Sequence, residues 1–235
     1  MRGEEAVRAW RHLEHPLWLY RLVQRVGAGP VRLAFRTSAV GIEKIPRTGP
    51  VILASNHASN IDPVLVVACL PRPLFHLGKH TLFSSRVGSA FLETLGGQIP
   101  VDRETGGNED SLEAGLEVLG RGLALGIYPE GTRTLDGRLL PGRTGVALFA
   151  FLTGAPVFPV ALKGTFEAWP RDRRLPRLRW PTAVIVGDPI RVPRDPAAAR
   201  DPRRCRQLTD DVMTALGGLL GLTYQRSRVG AHLVE

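Results

Sequence analysis

The sequence predicts an α/β domain, a layered, largely parallel sheet flanked by helices. Three observations carry it. The apolar runs at 51–54, 124–128 and 157–162 are too short for helices and are bounded by glycine and proline. They are apolar at successive positions, as strands are when covered on both faces. Between them lie stretches with helical spacing, so strands and helices alternate. At 235 residues and 43% hydrophobic, the chain has material for one substantial core. The expected division is an N-terminal amphipathic helical segment at 1–36, one domain at 37–225 and a tail at 226–235.

Residues 1–15 are charged and polar, without a secretory leader pattern. Residues 16–36 reach the roughly 20 needed to cross a bilayer, but Arg21, Arg25 and Arg32 interrupt them, so a spanning helix is not expected. Leu19, Leu22, Val23 and Val26 share a helical face opposite Arg21, Gln24 and Arg25, with Trp18 at the border. Such a basic amphipathic helix suits a membrane interface, and it equally suits an ordinary surface helix packed on the domain. Gly27-Ala28-Gly29-Pro30 is expected to break it, leaving a second short helix at 31–35 and thus a two-helix membrane-contact segment.

A strand at 37–45 and a turn at 46–50 then lead to the strand at 51–54. Asp62-Pro63 is a helix start, with Asp at the N-cap and Pro in the first turn, and Pro71 to Pro73 ends that helix. A strand at 74–77 ends at Gly78-Lys79. A helix at 84–95 is stopped by Gly96-Gly97, and 99–103 is extended. A helix at 111–119, capped by Asp110 or Ser111, precedes the strand at 124–128. A polar turn, a helix at 145–152 and the strand at 157–162 follow. Residues 169–180 are an arginine-rich loop between Trp169 and Trp180, suited to membrane contact, to a nucleic-acid patch or to plain solvation. A strand at 183–186 continuing at 190–192 and an amphipathic helix at 200–222 close the domain.

The chemistry concentrates where strands end. His57 follows the strand at 51–54, and Asp62 lies five residues on, about 140° out of phase on a helix, so the two meet only across a turn. Ser59 and Asn60 supply that turn. A carboxylate beside an imidazole fixes its tautomer and makes it a general base for a hydroxyl. A helix-capping aspartate next to an unreactive loop histidine has the same spacing. Glu130-Gly131-Thr132-Arg133 follows the strand at 124–128 directly, and in a parallel sheet the two loops share one crevice. Gly131 allows close approach, Thr132 offers a hydroxyl, Arg133 offers a fork suited to phosphate, and Glu130 can orient Arg133 or the loop. Lys79, just past a strand end, fits a ligand or a solvated loop charge.

A formal net charge of +9 at pH 7 points to an anionic partner: nucleic acid, an anionic membrane or a phosphorylated substrate. Cys69 and Cys205 have neither metal spacing nor a disulfide framework, which fits a reducing compartment. No Gly-x-Ser-x-Gly elbow is present, so no acyl-enzyme is expected, and no ligand set for a metal stands out.

The block Asn56-His57-Ala58-Ser59-Asn60-Ile61-Asp62 resembles the first signature of the glycerophospholipid acyltransferase superfamily. Tyr128-Pro129-Glu130-Gly131-Thr132-Arg133 resembles its acceptor-binding block, with Tyr128 and Thr134 where the family more often has Phe and Ser. Gly97 to Arg103 and Ala155 to Val160 resemble the two remaining blocks, in family order across roughly residues 40 to 190. The resemblance is strongest to bacterial 1-acylglycerol-3-phosphate (lysophosphatidic acid) acyltransferases. It implies transfer of a fatty acyl group from acyl-CoA or acyl carrier protein to lysophosphatidic acid, giving phosphatidic acid, with no cofactor beyond the thioester co-substrate. It implies His57 and Asp62 as the base pair. Gly131, Thr132, Arg133 and Arg103 would hold the acceptor phosphate, and Arg143 stands where the family carries a basic residue. It also implies a membrane lipid surface as partner, no nucleic acid, and a peripheral or monotopic place on the cytoplasmic membrane face. The same chemistry on another acceptor, such as glycerol-3-phosphate or a different lysolipid, and a noncatalytic basic membrane-binding protein are the alternatives.

Overall fold

The computed structural model describes residues 17–79, 97–101 and 107–224. Its strands are β1 Ser38–Val40, β2 Val51–Ser55, β3 Leu74–Lys79, β4 Gln98–Val101, β5 Ala124–Ile127, β6 Val157–Lys163 and β7 Ala183–Val186. They form one seven-stranded sheet in the order β1-β7-β6-β2-β5-β3-β4. Neighbours are parallel except β6 and β7, so β2 to β6 share one direction and the β1/β7 edge runs against them. The largely parallel sheet read from the sequence is what forms.

Every residue of central β2 is buried. Val51 and Leu53 face one apolar layer, Ile52 and Ala54 the other, as the twofold strand repeat requires. On the first face lie α1 (Leu17–Ala34) and α2 (Asp62–Cys69). On the second lie α3 (Gly107–Gly120), α4 (Gly145–Thr153), α6 (Pro196–Ala199) and α7 (Pro202–Leu220). The one-turn α5 (Thr165–Ala168) follows β6. Asp195 and Asp201 cap α6 and α7 by accepting backbone N–H bonds from their first turns.

The N-terminal segment departs from the expected two helices. α1 is a single helix running straight through Gly27-Ala28-Gly29-Pro30. Two polar side chains fasten it to the domain. Tyr20 Oη donates to Leu74 O at 2.9 Å, and Gln24 Nε2 donates to the carbonyls of Val67, Leu70 and Arg72 at 2.8, 2.9 and 3.1 Å. Pro30 and Val26 lie on the exposed side, so the missing proline N–H leaves no polar group enclosed in the core. The helix is also turned the other way round from a simple amphipathic reading. Tyr20 and Gln24 face inward, and Trp18, Leu22, Val26 and Leu33 form an exposed apolar stripe. Among the described residues no helix is long and apolar enough to cross a membrane.

Other differences have local causes. The expected strand at 37–45 ends at Val40 because Gly41 adopts φ 76°, and a 3₁₀ turn, Ile42–Lys44, follows. Residues 190–192 do not extend β7; Ile190 instead makes one antiparallel bridge to Val157, after Gly187 N–H bonds Pro159 O at 2.8 Å. The helix expected from 111 starts at Gly107. The helix expected at 84–95 and the tail from 226 lie outside the described residues. Gln24→Ala should cost about 1–3 kcal/mol, since it strips the helix-end carbonyls of their shared donor. Urea unfolding of the two proteins measures this.

Candidate active site

β2 and β5 are neighbours, with Ala54 opposite Ile127, so the loops leaving their C-terminal ends lie side by side. Asn56 opens the first. Its buried side-chain amide donates to Leu162 O at 3.1 Å and accepts from Leu162 N at 2.7 Å, carrying the ladder to β6 one residue past the strand. The main chain is thereby released to turn at His57.

Asp62 holds that turn. Its Oδ2 lies 2.9 Å from His57 Nδ1 and accepts the backbone N–H groups of Ala58 and Ser59, each at 2.7 Å. The expected role as N-cap of α2 is not what forms: Ile61 holds that position, and the carboxylate reaches back to the loop before it. The composition is identical in both cases, which is why the sequence did not separate them. An oxygen accepting two backbone N–H bonds acts as acceptor toward the imidazole too, which favours the tautomer with the proton on Nδ1 and a lone pair on Nε2. The Asp62 side chain is 0% exposed and that of His57 19%, so the pair has one buried and one accessible end. Ser59 Oγ donates to Trp169 O at 2.6 Å and Asn60 N–H to the same carbonyl at 3.3 Å, tying the turn to the arginine-rich loop.

The imidazole also lies in a stack. Tyr128 covers His57 with ring centroids 4.0 Å apart and planes 17° from parallel, and His76 lies 5.5 Å beyond Tyr128 at 10°. His76 stands opposite Gly126 in the β3/β5 register, and a Cβ at Gly126 would run into its ring. Tyr128 Oη and His76 Nδ1 are buried without hydrogen-bond partners among the described residues. Burial, and secondarily the charge of His57, lower the His76 pKa to about 3, so it stays neutral. Sequence reasoning assigned neither ring a role. The available signal was a histidine in an apolar strand near a glycine in the next.

Glu130 braces the loop from the β5 side. Its Oε1 accepts His57 N–H at 2.7 Å, its Oε2 accepts Leu140 N–H at 2.8 Å, and Thr134 N–H bonds His57 O at 3.0 Å. It is buried, with both oxygens turned to main chain rather than to Arg133. Burial raises its pKa to about 7, against the two N–H bonds that favour the charged form.

The basic residues gather beside this frame. Gly131 turns at φ 69°, and a Cβ there would meet Arg143 Nε at 2.8 Å, so Arg143 packs on the Gly131 turn. Arg143 N–H also bonds Pro129 O at 2.7 Å. Arg133 is half-buried, and burial and the neighbouring charge of Arg171 lower its pKa. Arg171 was expected only as part of the basic loop. Thr132 is exposed. Lys79 ends β3 with its backbone paired to Val101, and Arg103 lies outside the described residues. A cavity of about 150 Å³ opens beside His57, its apolar wall built from Leu139, Leu162, Phe166, Leu220 and Leu222. Among the described residues no group of three or more His, Cys, Asp or Glu is placed to hold a metal ion.

Two expectations follow from the rings and Glu130. Tyr128→Phe keeps the stack and should leave turnover within about threefold, whereas Tyr128→Ala opens a cavity costing about 3–5 kcal/mol and frees the imidazole. Steady-state kinetics and thermal melts separate the two. The buried titratable groups pull stability in opposite directions with pH. Between 4.5 and 7 the unfolded chain ionises Glu130 and the fold does not, so this group lowers stability as pH rises. Between 3 and 6.5 the unfolded chain protonates His76 and the fold does not, so that group raises stability with pH. Each slope is about 1.4 kcal/mol per pH unit, and they cancel where they overlap. Glu130→Gln should unmask the rising slope and His76→Phe the falling one, in unfolding free energies from pH 4.5 to 6.5.

Comparison with known proteins gives the family and the fold. The Acyltransferase family model matches residues 36–163, more than half of the chain, and spans β1 to β6 with the His57 turn and Glu130. The chain is 31% identical over 164 residues to the chloroplastic 1-acyl-sn-glycerol-3-phosphate acyltransferase of Brassica napus, covering 66% of this chain and 45% of that one. It thus spans under half the length of that plant relative. It is 28% identical over 149 residues to the 1-acyl-sn-glycerol-3-phosphate acyltransferase of Bacillus subtilis, covering 63% of this chain and 70% of the other. The crystal structure of the 1-acyl-sn-glycerophosphate acyltransferase of Thermotoga maritima has the same fold, with a TM-score of 0.67 at 21% identity over 88% of this chain and 81% of that one. The matched block carries the strand ends, the His57 turn and the Glu130 brace, and the chain belongs to the acyltransferase family.

Proposed function

We propose that the protein moves a fatty acyl group from an acyl thioester, of coenzyme A or acyl carrier protein, to the free hydroxyl of 1-acylglycerol-3-phosphate. The products are phosphatidic acid and the free thiol. The observation that carries this reading is the accessible imidazole of His57, held through Nδ1 by buried Asp62 beside a group of arginines. The printed names of the plant and bacterial relatives point to the same acceptor.

His57 Nε2 takes the acceptor hydroxyl proton as the oxygen attacks the thioester carbonyl. The tetrahedral adduct collapses by breaking the carbon–sulfur bond, and the imidazolium returns its proton to the leaving thiolate. The lysolipid is the nucleophile, so no acyl-enzyme is formed. Ser59 Oγ is committed to Trp169 O, and Cys69 is buried with its thiol raised to about 11, which makes both poor alternatives. A phosphomonoester carries about −1.5 to −2 charges, matched by Arg133, Arg143 and Arg171 together. The acceptor resides in a bilayer, and Leu175, Leu178 and Trp180 project from the arginine-rich loop. These features support a peripheral membrane position, proposed here on the cytoplasmic face, with lipid rather than nucleic acid as the basic surface's partner.

The reading is tested by thiol release from acyl-CoA with and without 1-acylglycerol-3-phosphate. Release should depend on the acceptor, and His57→Ala and Asp62→Asn should each lower kcat by about 10²–10⁴. Arg133→Ala should act mainly on the acceptor KM, raising it about tenfold or more. Acceptor-independent release would identify a thioesterase, and undiminished transfer by His57→Ala would refute the mechanism. Better turnover of glycerol-3-phosphate or another lysolipid in an acceptor panel would reassign the substrate.

A further inference from the structure

A second anion-seeking feature lies at the opposite end of the sheet. An open cavity of about 500 Å³ is enclosed by α1, the β1–β2 connection and the α2–β3 connection, and Arg21, Gln24, Arg25, Arg47, Thr48 and Arg72 line it. Thr48 precedes β2 and Arg72 precedes β3, whereas His57 follows the far end of β2. The length of β2, five residues at about 3.3 Å each, or roughly 17 Å, separates the two sites.

Four guanidinium groups and no carboxylate line this cavity among the described residues. Among the described residues none of the four is ion-paired. Arg72 is 6% exposed, donating from Nη1 to Pro46 O and Gly49 O at 3.0 and 2.8 Å and from Nη2 to Gly122 O at 2.8 Å. These carbonyls fix the guanidinium without neutralising it. Its burial and the charge of Arg21 both lower its pKa, as expected of a buried cation beside a like charge. A buried charge normally has a countercharge, and none stands beside Arg72 among the described residues.

The surroundings indicate what kind of anion fits. The cavity lies within the roughly 300–1,000 Å³ of small-molecule sites, room for a phosphate with its attached alcohol. Arg21 and Arg25 flank the stripe of Trp18, Leu22, Val26 and Leu33, which are 68, 50, 67 and 79% exposed. An apolar stripe beside a guanidinium-lined recess matches a bilayer, with hydrocarbon next to phosphate. We propose that this cavity binds the phosphate of an anionic phospholipid headgroup, as a site separate from the acceptor site at His57. The proposal does not rest on the acyl-transfer reading, and its test needs no turnover.

The test is vesicle sedimentation of the full chain with phosphatidylcholine vesicles containing or lacking phosphatidylglycerol, alongside calorimetric titration with inorganic phosphate. The triple variant Arg21→Gln/Arg25→Gln/Arg47→Gln spares Arg72, and melting curves confirm that it folds. The control Arg191→Gln/Arg200→Gln/Arg203→Gln removes equal charge from exposed positions outside the cavity, two of them on the α6/α7 side of the sheet. Affinity for phosphatidylglycerol vesicles should fall on the order of a hundredfold in the cavity variant and less than about threefold in the control. Equal loss in both variants, or loss in neither, overturns the site. Saturable binding of inorganic phosphate that the cavity variant abolishes, with vesicle binding unchanged, would overturn the lipid assignment in favour of a free phosphate.

Discussion

One buried oxygen, Oδ2 of Asp62, determines the geometry of the whole active-site loop. By accepting from Ala58 N–H, Ser59 N–H and His57 Nδ1 it folds the chain between β2 and α2 into a turn tight enough to bring the imidazole back over the carboxylate. Hydrogen bonds to a charged group contribute about 1.5–3 kcal/mol each, enough to offset much of the cost of enclosing a carboxylate. The same contacts that make the turn stable favour one imidazole tautomer, so in the proposed mechanism folding and chemistry use one set of bonds. Helix capping is what yields: α2 begins at Asp62 with Ile61 as N-cap and no side-chain cap.

The rest of the site is arranged around that turn. From β6, Leu162 holds Asn56; from the loop after β5, Glu130 holds His57 N–H and Tyr128 covers the ring. From the arginine-rich loop, Trp169 O holds Ser59 and Asn60. That last link joins the turn carrying His57 directly to the loop that projects Leu175, Leu178 and Trp180. Burial within this frame leaves His76 neutral and makes Glu130 reluctant to ionise, so the frame carries opposing electrostatic costs while the accessible face of His57 stays open.

Much of this was legible in the sequence where the determinants are local. His57, Asp62 and the turn between them lie within six residues, and the 51–54 and 124–128 runs announce strands whose ends meet in a parallel sheet. What was not legible depends on partners distant in the chain. The direction of the Asp62 carboxylate was hidden because capping and back-bonding use the same residues. The His57–Tyr128–His76 stack needs the β3/β5 register, which places His76 against Gly126. Local propensity also misled at α1, where Gly27 to Pro30 read as a break. The bonds from Tyr20 and Gln24 to residues 67–74 override it and turn the apolar stripe outward.

The most direct test of the central claim is nitrogen NMR of the protein with labelled histidine, at a pH where His57 is neutral. If Asp62 fixes the base, the His57 spectrum should show the proton on Nδ1 and a bare Nε2, and Asp62→Asn should disturb that single tautomer. A His57 resonance with the proton on Nε2, or an equal mixture unchanged by Asp62→Asn, would contradict the account.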